Sequence, residues 1–366
     1  MRPMHLTLGI AGTAKNTGKT TTTISLLNHF TTQGVKLGLT SIGYDGESVD
    51  NVTGLPKPRL FVPSGVLVVT AERCLDVSSA KLNVLETLPI STPLGNLVCA
   101  IVEREGLIVT AGPNQTRHLR TVREWLYRQD TELIIVDGAL NRMAPMVETD
   151  GFILATGASY KPDSRQVALD AHYLAEVCNC PLVPQELAQE GLLDTNATMV
   201  WGGGGKILAS TSQNLLEPGG LEPMERVAQQ AVGFYCPGLI TSSCLRRLME
   251  IPFPSAMVWV LQDPTKVLIP NEPGLIHGFL LKLREAGSTV VYRNPLPLLA
   301  ITVNPFYPQY RYETNNYEPA YVERTELKQS VADAAKVPVF DVVQDDCLGL
   351  ANVILSFSAR NGHDGV

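Results

Sequence analysis

The sequence predicts an α/β protein, in which a mostly parallel sheet flanked by helices is followed by a second, smaller α/β domain. Two observations lead to this prediction. Short continuous apolar runs, typical of buried parallel strands, alternate with segments whose apolar residues recur at helical spacing. The chain also has 366 residues, 45% of them hydrophobic and 18% charged. It is too long for one ordinary core and too apolar for a disordered chain.

The most informative stretch lies near the start, where the apolar run 6–11 precedes a glycine-containing loop and then a helix-like segment. A strand, a Gly-Lys-Thr loop and a helix in this order are the context of a phosphate-binding loop, because backbone N–H groups and the helix dipole favour an anion there. We expect Lys19 to reach the β- and γ-phosphates and the Thr20 hydroxyl to ligate Mg²⁺. The residues predicted to bind the nucleotide are Gly12, Thr13, Lys15, Asn16, Thr17, Gly18, Lys19, Thr20 and Thr21.

Asp137 is the candidate for a Walker B aspartate. It follows the apolar run 133–136 and precedes a glycine, one or two α/β units after the loop. At the carboxyl end of a central strand it would accept a hydrogen bond from Thr20 and hold a metal-bound water. Arg142, five residues further on, could contact phosphate or could equally be a surface arginine.

Asp45 is the second candidate for the metal side of the site. It follows the predicted second strand, 35–41, in a segment up to residue 59 that is rich in glycine, proline and charge. There it could reach Mg²⁺ or its waters; a solvated acidic turn is the alternative. The predicted catalytic residues are therefore Lys19, Asp45 and Asp137, and the predicted metal ligands are Thr20, Asp45 and Asp137.

The domain boundary is predicted in the polar segment 184–198. It separates a nucleotide-binding domain (1–190) from a second α/β domain for substrate or partner binding (191–345) and a C-terminal tail (346–366). Two β runs around the glycines 202–205 predict a hairpin; a glycine-rich anion loop is the alternative, but no helix follows it. An aromatic, proline-containing loop is expected over 304–317, as a candidate partner surface.

Composition narrows the class of protein. The net charge of −7 argues against a general nucleic-acid binder, which would carry a basic stripe. The seven cysteines are scattered through apolar segments, as expected of small core residues in a reducing compartment. The first strand begins too early to leave room for a signal peptide, and no apolar run reaches the roughly 18 to 20 residues that span a bilayer. We expect a cytoplasmic protein without a membrane partner.

The loop 12–20 resembles those of dethiobiotin synthetase and the cobyrinic acid amide synthases, which read G-T-x-x-x-x-G-K-[ST]. Its inner part is similar to the loop of the molybdopterin-guanine dinucleotide accessory ATPase. All belong to the P-loop NTPase branch that includes MinD, so the resemblance implies a P-loop NTPase domain with ATP and Mg²⁺ as cofactors. ATP is preferred to GTP because no good guanine-reading N-K-x-D motif is present.

The chain differs from the common P-loop form in one place and from individual families in two. Counting back from Gly18, the usual first glycine would fall on Thr13, but the glycine is one residue earlier, at Gly12, as in the longer G-T-x-x-x-x-G-K-[ST] loop. Ala14 stands where MinD-type proteins have their signature lysine, with Lys15 one place off, so a homodimer is left open. The glycine turn 201–205 has no cysteine, which argues against the glutamine-dependent amidation of the cobyrinic acid enzymes.

A second resemblance covers more of the chain. The strings 44–47, 50–59, 137–142 and 154–158 are similar to proteins encoded in amino-acid fermentation clusters. Those proteins accompany the cobalamin- and pyridoxal-phosphate-dependent lysine and ornithine aminomutases. The resemblance implies a reactivase-type ATPase subunit that acts on a partner enzyme.

Three functions are therefore compared. The first is an accessory ATPase, in which Mg·ATP orders the loop 45–59 and hydrolysis releases it, changing the grip on a partner enzyme. The second is a metabolic ligase that activates a substrate carboxylate with the γ-phosphate. The third is a nucleotide-binding regulator without significant turnover. We rank them in this order, because the long switch-like loop favours the first.

Overall fold

The computed structural model describes residues 5–43, 60–189 and 191–361. The chain divides into two compact units, of which the first comprises Met1–Ala171 and Leu298–Val366 and the second His172–Pro297. This division differs from the predicted ranges 1–190 and 191–345. The segment after Pro297 returns to the first unit, which sequence order alone does not indicate.

The described strands are β1 (Leu6–Gly12), β2 (Leu37–Ser41), β3 (Leu60–Val62), β4 (Leu67–Ala71), β5 (Lys81–Thr92), β6 (Gly95–Arg104), β7 (Gly106–Ile108), β8 (Leu133–Ala139), β9 (Gly151–Gly157), β10 (Thr198–Trp201), β11 (Ile207–Thr211), β12 (Gly233–Cys236), β13 (Val258–Leu261), β14 (Thr289–Tyr292), β15 (Leu298–Asn304), β16 (Phe306–Arg311), β17 (Asn316–Tyr321) and β18 (Val339–Phe340).

The described helices are α1 (Lys19–Thr32), α2 (Glu72–Asp76), α3 (Thr116–Arg128), α4 (Ser164–Cys178), α5 (Gln185–Gln189), α6 (Glu222–Glu225), α7 (Ser242–Glu250), α8 (Thr265–Leu268), α9 (Pro273–Glu285), α10 (Arg324–Ala335) and α11 (Cys347–Asn361). Short 3₁₀ turns join several of them.

The first unit is built on a nine-stranded sheet in the order β18-β15-β9-β1-β8-β2-β4-β6-β5. Neighbours from β18 to β4 run parallel, and β6 and β5 add an antiparallel edge. Every residue of β1, β2, β4 and β9 is buried, as expected of strands covered on both faces. The large mixed sheet flanked by helices confirms the α/β class.

The predicted C-terminal tail, 346–366, requires a correction. Most of it forms α11, whose apolar side chains belong to the same buried cluster as those of α1; the cluster includes Leu26, Leu27, Phe30, Leu350, Ala351 and Ile354. A stripe of residues at helical spacing buries against a neighbouring helix because this removes apolar surface from water. The segment is part of the core of the first unit.

Two other expectations fail in the first unit. β15 (Leu298–Asn304) pairs with β9 and is not a strand of the second domain. The predicted loop 304–317 is instead the hairpin of β16 and β17, with Phe306 opposite Tyr321. Its alternating aromatic residues suit a pleated surface, and the prolines at 308 and 319 face each other across it.

The second unit contains a five-stranded sheet in the order β11-β10-β12-β13-β14. β12, β13 and β14 are parallel, while β10 and β11 form the antiparallel hairpin predicted around the glycines 202–205. Gly204 and Gly205 have φ of 67° and 73°, a region that glycine enters without steric cost. Because β12, β13 and β14 are parallel, their carboxyl ends lie at the same edge of this sheet.

Candidate functional site

The loop between β1 and α1 lies at the carboxyl end of the central strand of the first sheet. β1 lies between β8 and β9, and the Thr13 N–H donates to the Ala155 carbonyl of β9 at 3.0 Å. The Thr13 hydroxyl donates to Thr156 Oγ1 at 3.1 Å. The loop therefore starts from a fixed point at the sheet edge where ligands of parallel α/β folds bind.

Three consecutive carbonyl groups of the loop accept hydrogen bonds from side chains. Thr17 Oγ1 donates to the Ala14 carbonyl at 2.9 Å, Ser159 Oγ to the Lys15 carbonyl at 2.8 Å, and Asn304 Nδ2 to the Asn16 carbonyl at 2.7 Å. In a planar trans peptide, the carbonyl and the following N–H point in opposite directions. Each amide of residues 15–17 is consequently directed away from the donor that holds the preceding carbonyl group.

Gly18 turns the loop into the helix. Its φ is 92°, which is a left-handed conformation. A residue with a side chain would lose free energy of stabilisation in this conformation, whereas glycine does not. A Cβ built on Gly18 would also lie 3.3 Å from Asn304 Cβ, which is a tight contact. Both the backbone conformation and the neighbouring side chain explain why glycine occupies this position.

The first turn of α1 offers unpaired donors. No side chain caps the helix at Gly18, and its first turn contains no acidic residue. Within the described part of the chain, the N–H groups of Lys19, Thr20 and Thr21 have no acceptor, which is usual for the first helical residues. These donors and the positive end of the helix dipole favour an anion at this point.

Lys19 and Asp137 form the charged centre of the site. Lys19 Nζ lies 3.0 Å from Asp137 Oδ1, and the two side chains are 28% and 11% exposed. The same Oδ1 atom accepts no hydrogen bond of regular geometry from the described residues. A buried carboxylate oxygen with one off-angle ionic contact has capacity for a further donor or cation.

β8 sets the position of Asp137. In the parallel register Asp137 is opposite Ile10 of β1 and Ser41 of β2, so it lies one strand away from the loop. The expected hydrogen bond from Thr20 does not occur among the described residues; Lys19 occupies that side of the carboxylate instead. The pairing of lysine and aspartate is what the structure shows at this strand end.

The remaining predicted residues fall into two groups. Gly12 ends β1 and Thr17 is buried, whereas Lys15 and Thr21 are exposed and Thr20 is half-buried. Asn16 adopts φ of 61°, a left-handed value that asparagine tolerates better than most residues. Asp45 lies outside the described residues, as do the segments 44–59 that carry part of the resemblance to aminomutase-associated proteins.

The sequence analysis did not predict two residues whose side chains hydrogen-bond to the loop. Ser159 and Asn304 hold the loop carbonyls, yet they lie 144 and 288 residues from their partners. Ser159 follows the strand β9, so a polar residue after a parallel strand was an available signal. Asn304 ends the apolar strand β15 and carries the same kind of signal, but the predicted domain boundaries place that strand in the other domain.

The second unit has a polar pocket of its own, of about 360 Å³, at the carboxyl ends of β12, β13 and β14. Its lining includes Asn196, Gln213, Tyr235, Gln262, Lys266 and Arg293. The Tyr235 hydroxyl donates to Gln262 Oε1 at 2.8 Å, and Arg293 Nη2 lies 2.7 Å from Asp194 Oδ1. Burial raises the pKa of the Tyr235 hydroxyl although Arg293 opposes the shift. Such a lining suits a small polar ligand.

Comparisons with known proteins leave the family open. No protein-family model and no curated protein sequence matches the chain. Among solved structures, the chain is similar to the signal recognition particle receptor FtsY from Elizabethkingia anophelis, with 9% sequence identity and a TM-score of 0.21. That alignment covers 90% of this chain and 65% of that chain, just under two thirds of its length. A TM-score this low carries no argument about function.

One general property follows from the helices. No described helix is both long and apolar enough to cross a membrane. The longest ones, α4 and α11, have 15 residues each, below the roughly 20 that a bilayer requires.

Proposed function

We propose that the first unit is a P-loop domain that binds Mg·ATP, and that the chain is an ATPase serving a partner enzyme. The observation that carries the proposal is the pairing of Lys19 with Asp137, at 3.0 Å, together with first-turn amides of α1 that find no acceptor in the described part of the chain. A nucleotide phosphate would accept from those amides and from Lys19. The Thr20 hydroxyl and Asp137 would hold Mg²⁺, which would neutralise charge on the phosphates.

The chemistry required of these residues is positioning and charge neutralisation. Phosphoryl transfer needs little covalent help from a protein, so a lysine and a metal ion that neutralise the γ-phosphate can suffice. We name no general base. The accessory role ranks first among the three functions because the switch-like segment 45–59 favours it. A cobalamin-dependent aminomutase is one candidate partner, and that choice rests on the resemblance of the sequence strings alone.

The second candidate function is a ligase that activates a carboxylate, and the polar pocket in the second unit favours it. A substrate acid could be recognised there by Lys266 and Arg293, which line the pocket. A ligase would form its product without a partner protein. A regulator, the third candidate, would bind nucleotide tightly and turn it over negligibly.

The test is Mg²⁺-dependent binding and hydrolysis of ATP and GTP by the wild type and by Lys19→Ala. We expect Lys19→Ala to lose about 100-fold or more in hydrolysis, because it removes the side-chain cation at the phosphates. Lys36→Ala is the matched control, since Lys36 is an exposed lysine in the same unit paired with Asp130 at 3.7 Å. Circular dichroism would verify that both variants are folded.

The outcomes separate the three functions. Hydrolysis that rises with a neighbouring gene product and disappears in Lys19→Ala supports the accessory ATPase. Turnover that requires a small carboxylate supports the ligase, and tight binding without turnover supports the regulator. If the wild type binds no nucleotide, or if Lys19→Ala hydrolyses it as fast as the wild type, the nucleotide site is wrong.

A further inference from the structure

Two histidines and a glutamate converge in the second unit, on residues that the nucleotide proposal does not use. His172 and Glu176 lie on α4 and His277 lies on α9. One ligand atom from each lies within 4.8 Å of the other two. We propose that this cluster, the His-Glu-His site, binds a divalent transition-metal ion of the Zn²⁺ class.

The helical spacing brings the first two ligands together. Residues four apart project from the same face of a helix, and His172 Nε2 lies 4.0 Å from Glu176 Oε2. His277 Nδ1 approaches the same carboxylate oxygen to 2.7 Å. Ligands of a tetrahedral zinc ion, at about 2.0–2.1 Å from the metal, are roughly 3.3 Å apart. The two observed distances lie on either side of this value, so small side-chain rotations would bring all three atoms around one ion.

The neighbours of the site orient two of its ligands. The Tyr173 ring stacks on the His277 imidazole, with centroids 4.2 Å apart and an interplanar angle of 23°. Arg284 Nη1 lies 3.5 Å from Glu176 Oε1, the oxygen that faces neither histidine. Ligating carboxylates are commonly held by a second contact of this kind, which fixes their orientation. Arg284 thus leaves Oε2 directed toward the two imidazoles.

The donor set determines the class of metal. Two imidazoles and one carboxylate suit Zn²⁺ and its neighbours, whereas Ca²⁺ and Mg²⁺ prefer oxygen ligands throughout. The three side chains are only 20–31% exposed, so the site is accessible but partly desolvated. Three protein ligands leave a fourth position for water or for a small ligand.

The competing explanation is an ion-pair cluster without a metal, in which Glu176 binds the histidines and Arg284 directly. The two explanations differ in what added metal does. A metal site binds one ion in competition with the internal contacts, whereas an ion-pair cluster has no need of one. The salt bridges alone would be worth little at this exposure.

The test is titration of the full chain, after treatment with a chelator and without nucleotide, with Zn²⁺ by calorimetry and with Co²⁺ by visible absorption. We expect one ion per chain at this site, and at least a tenfold loss of affinity in His277→Ala, His172→Ala and Glu176→Gln. His29→Ala, which removes a half-buried histidine of the first unit, should bind as the wild type does.

Several results would overturn the site. Absence of Zn²⁺ binding by the wild type, or equal binding by the wild type, His277→Ala and His172→Ala, would leave only an ion-pair cluster. Thermal unfolding shows whether each variant is folded, and His172→Ala serves if His277→Ala is not. Lys19→Ala should retain the metal, so failure of the nucleotide proposal and failure of this one are distinguishable.

Discussion

In both units, polar side chains lie at the carboxyl ends of a set of parallel strands. The charged side chains at these two places have different partners. In the first unit Lys19 is paired with Asp137, next to first-turn amides of α1 that have no acceptor among the described residues. In the second, Arg293 is bonded to Asp194 and to the Leu193 carbonyl, and most residues of the pocket lining are polar or charged. The position at a strand end is common to both. The two strand ends therefore differ in whether the charged side chains lie beside a helix start or are paired within a pocket lining.

The largest effect that distinguishes the two strand ends is expected for substitution of Asp137, which forms the charged centre of the first one with Lys19. Asp137→Asn keeps the size of the side chain but removes the charge that would hold Mg²⁺, so we expect hydrolysis of Mg·ATP to fall about 100-fold. Asp263→Asn is the matched variant in the second unit, where Asp263 follows β13 and accepts from the Thr265 N–H at 2.9 Å. Steady-state hydrolysis and nucleotide titration measure both.

The Asp263→Asn control distinguishes a specific role of Asp137 in hydrolysis from a general loss of stability. Asp263 is 2% exposed and is paired with Lys266 at 3.4 Å, so its substitution removes a buried charge contact within the second unit. Equal losses in the two variants would mean that the effect of Asp137 is one of stability. Unchanged hydrolysis in Asp137→Asn would remove this aspartate from the site.

The elements of the fold that a short, continuous stretch of sequence determines were predictable. The helix predicted after the Gly-Lys-Thr loop and the hairpin predicted around the glycines 202–205 are both confirmed. What failed depends on long-range pairing. β15 is an apolar strand that either sheet could accept by composition, and its pairing with β9 is decided by tertiary packing rather than by local preference.

The candidate site divides in the same way. Lys19 and Asp137 were found because a motif and an apolar run are continuous in sequence, and the structure places them 3.0 Å apart. The supports at Ser159 and Asn304 could not be found by such means, since each contacts the loop from a distant strand end. His172 and Glu176 have a recognisable spacing, but their partner His277 lies 101 residues away.

A smaller effect is expected at the glycine that starts α1. Gly18→Ala should cost about 1 kcal/mol of unfolding free energy, because alanine is strained at a φ of 92°. Gly34→Ala, just after the same helix, meets the same strain at 74° but no atom within 4 Å. Urea unfolding should therefore give similar costs, whereas ATP affinity should fall only in Gly18→Ala.

This pair tests whether the conformation of the loop matters for binding apart from stability. If Gly34→Ala weakened ATP binding as much as Gly18→Ala, the loss would reflect the helix as a whole. If neither variant changed the affinity, the left-handed turn at Gly18 would have no part in holding phosphate.

The smallest effect concerns α10, a helix of the first unit whose start is capped by its own chain. Glu323 accepts from the Thr325 N–H at 2.9 Å and from the Glu326 N–H, and these bonds lower the pKa of its carboxyl. A carboxyl whose pKa in the folded protein is below its unfolded value, about 4.3, stabilises the fold at pH values above about 4.3. This stabilisation is lost as the pH falls through the folded pKa.

Glu323→Gln should therefore lower Tm by a few degrees or less at pH 7, and by less at pH 3. Glu313→Gln, an exposed change in the β16–β17 turn, is the control. A Tm difference that is the same at both pH values would show that the charge of Glu323 does not stabilise this helix start. The start of α10, capped by its own carboxylate, would then not differ electrostatically from the start of α1, whose first turn contains no acidic residue.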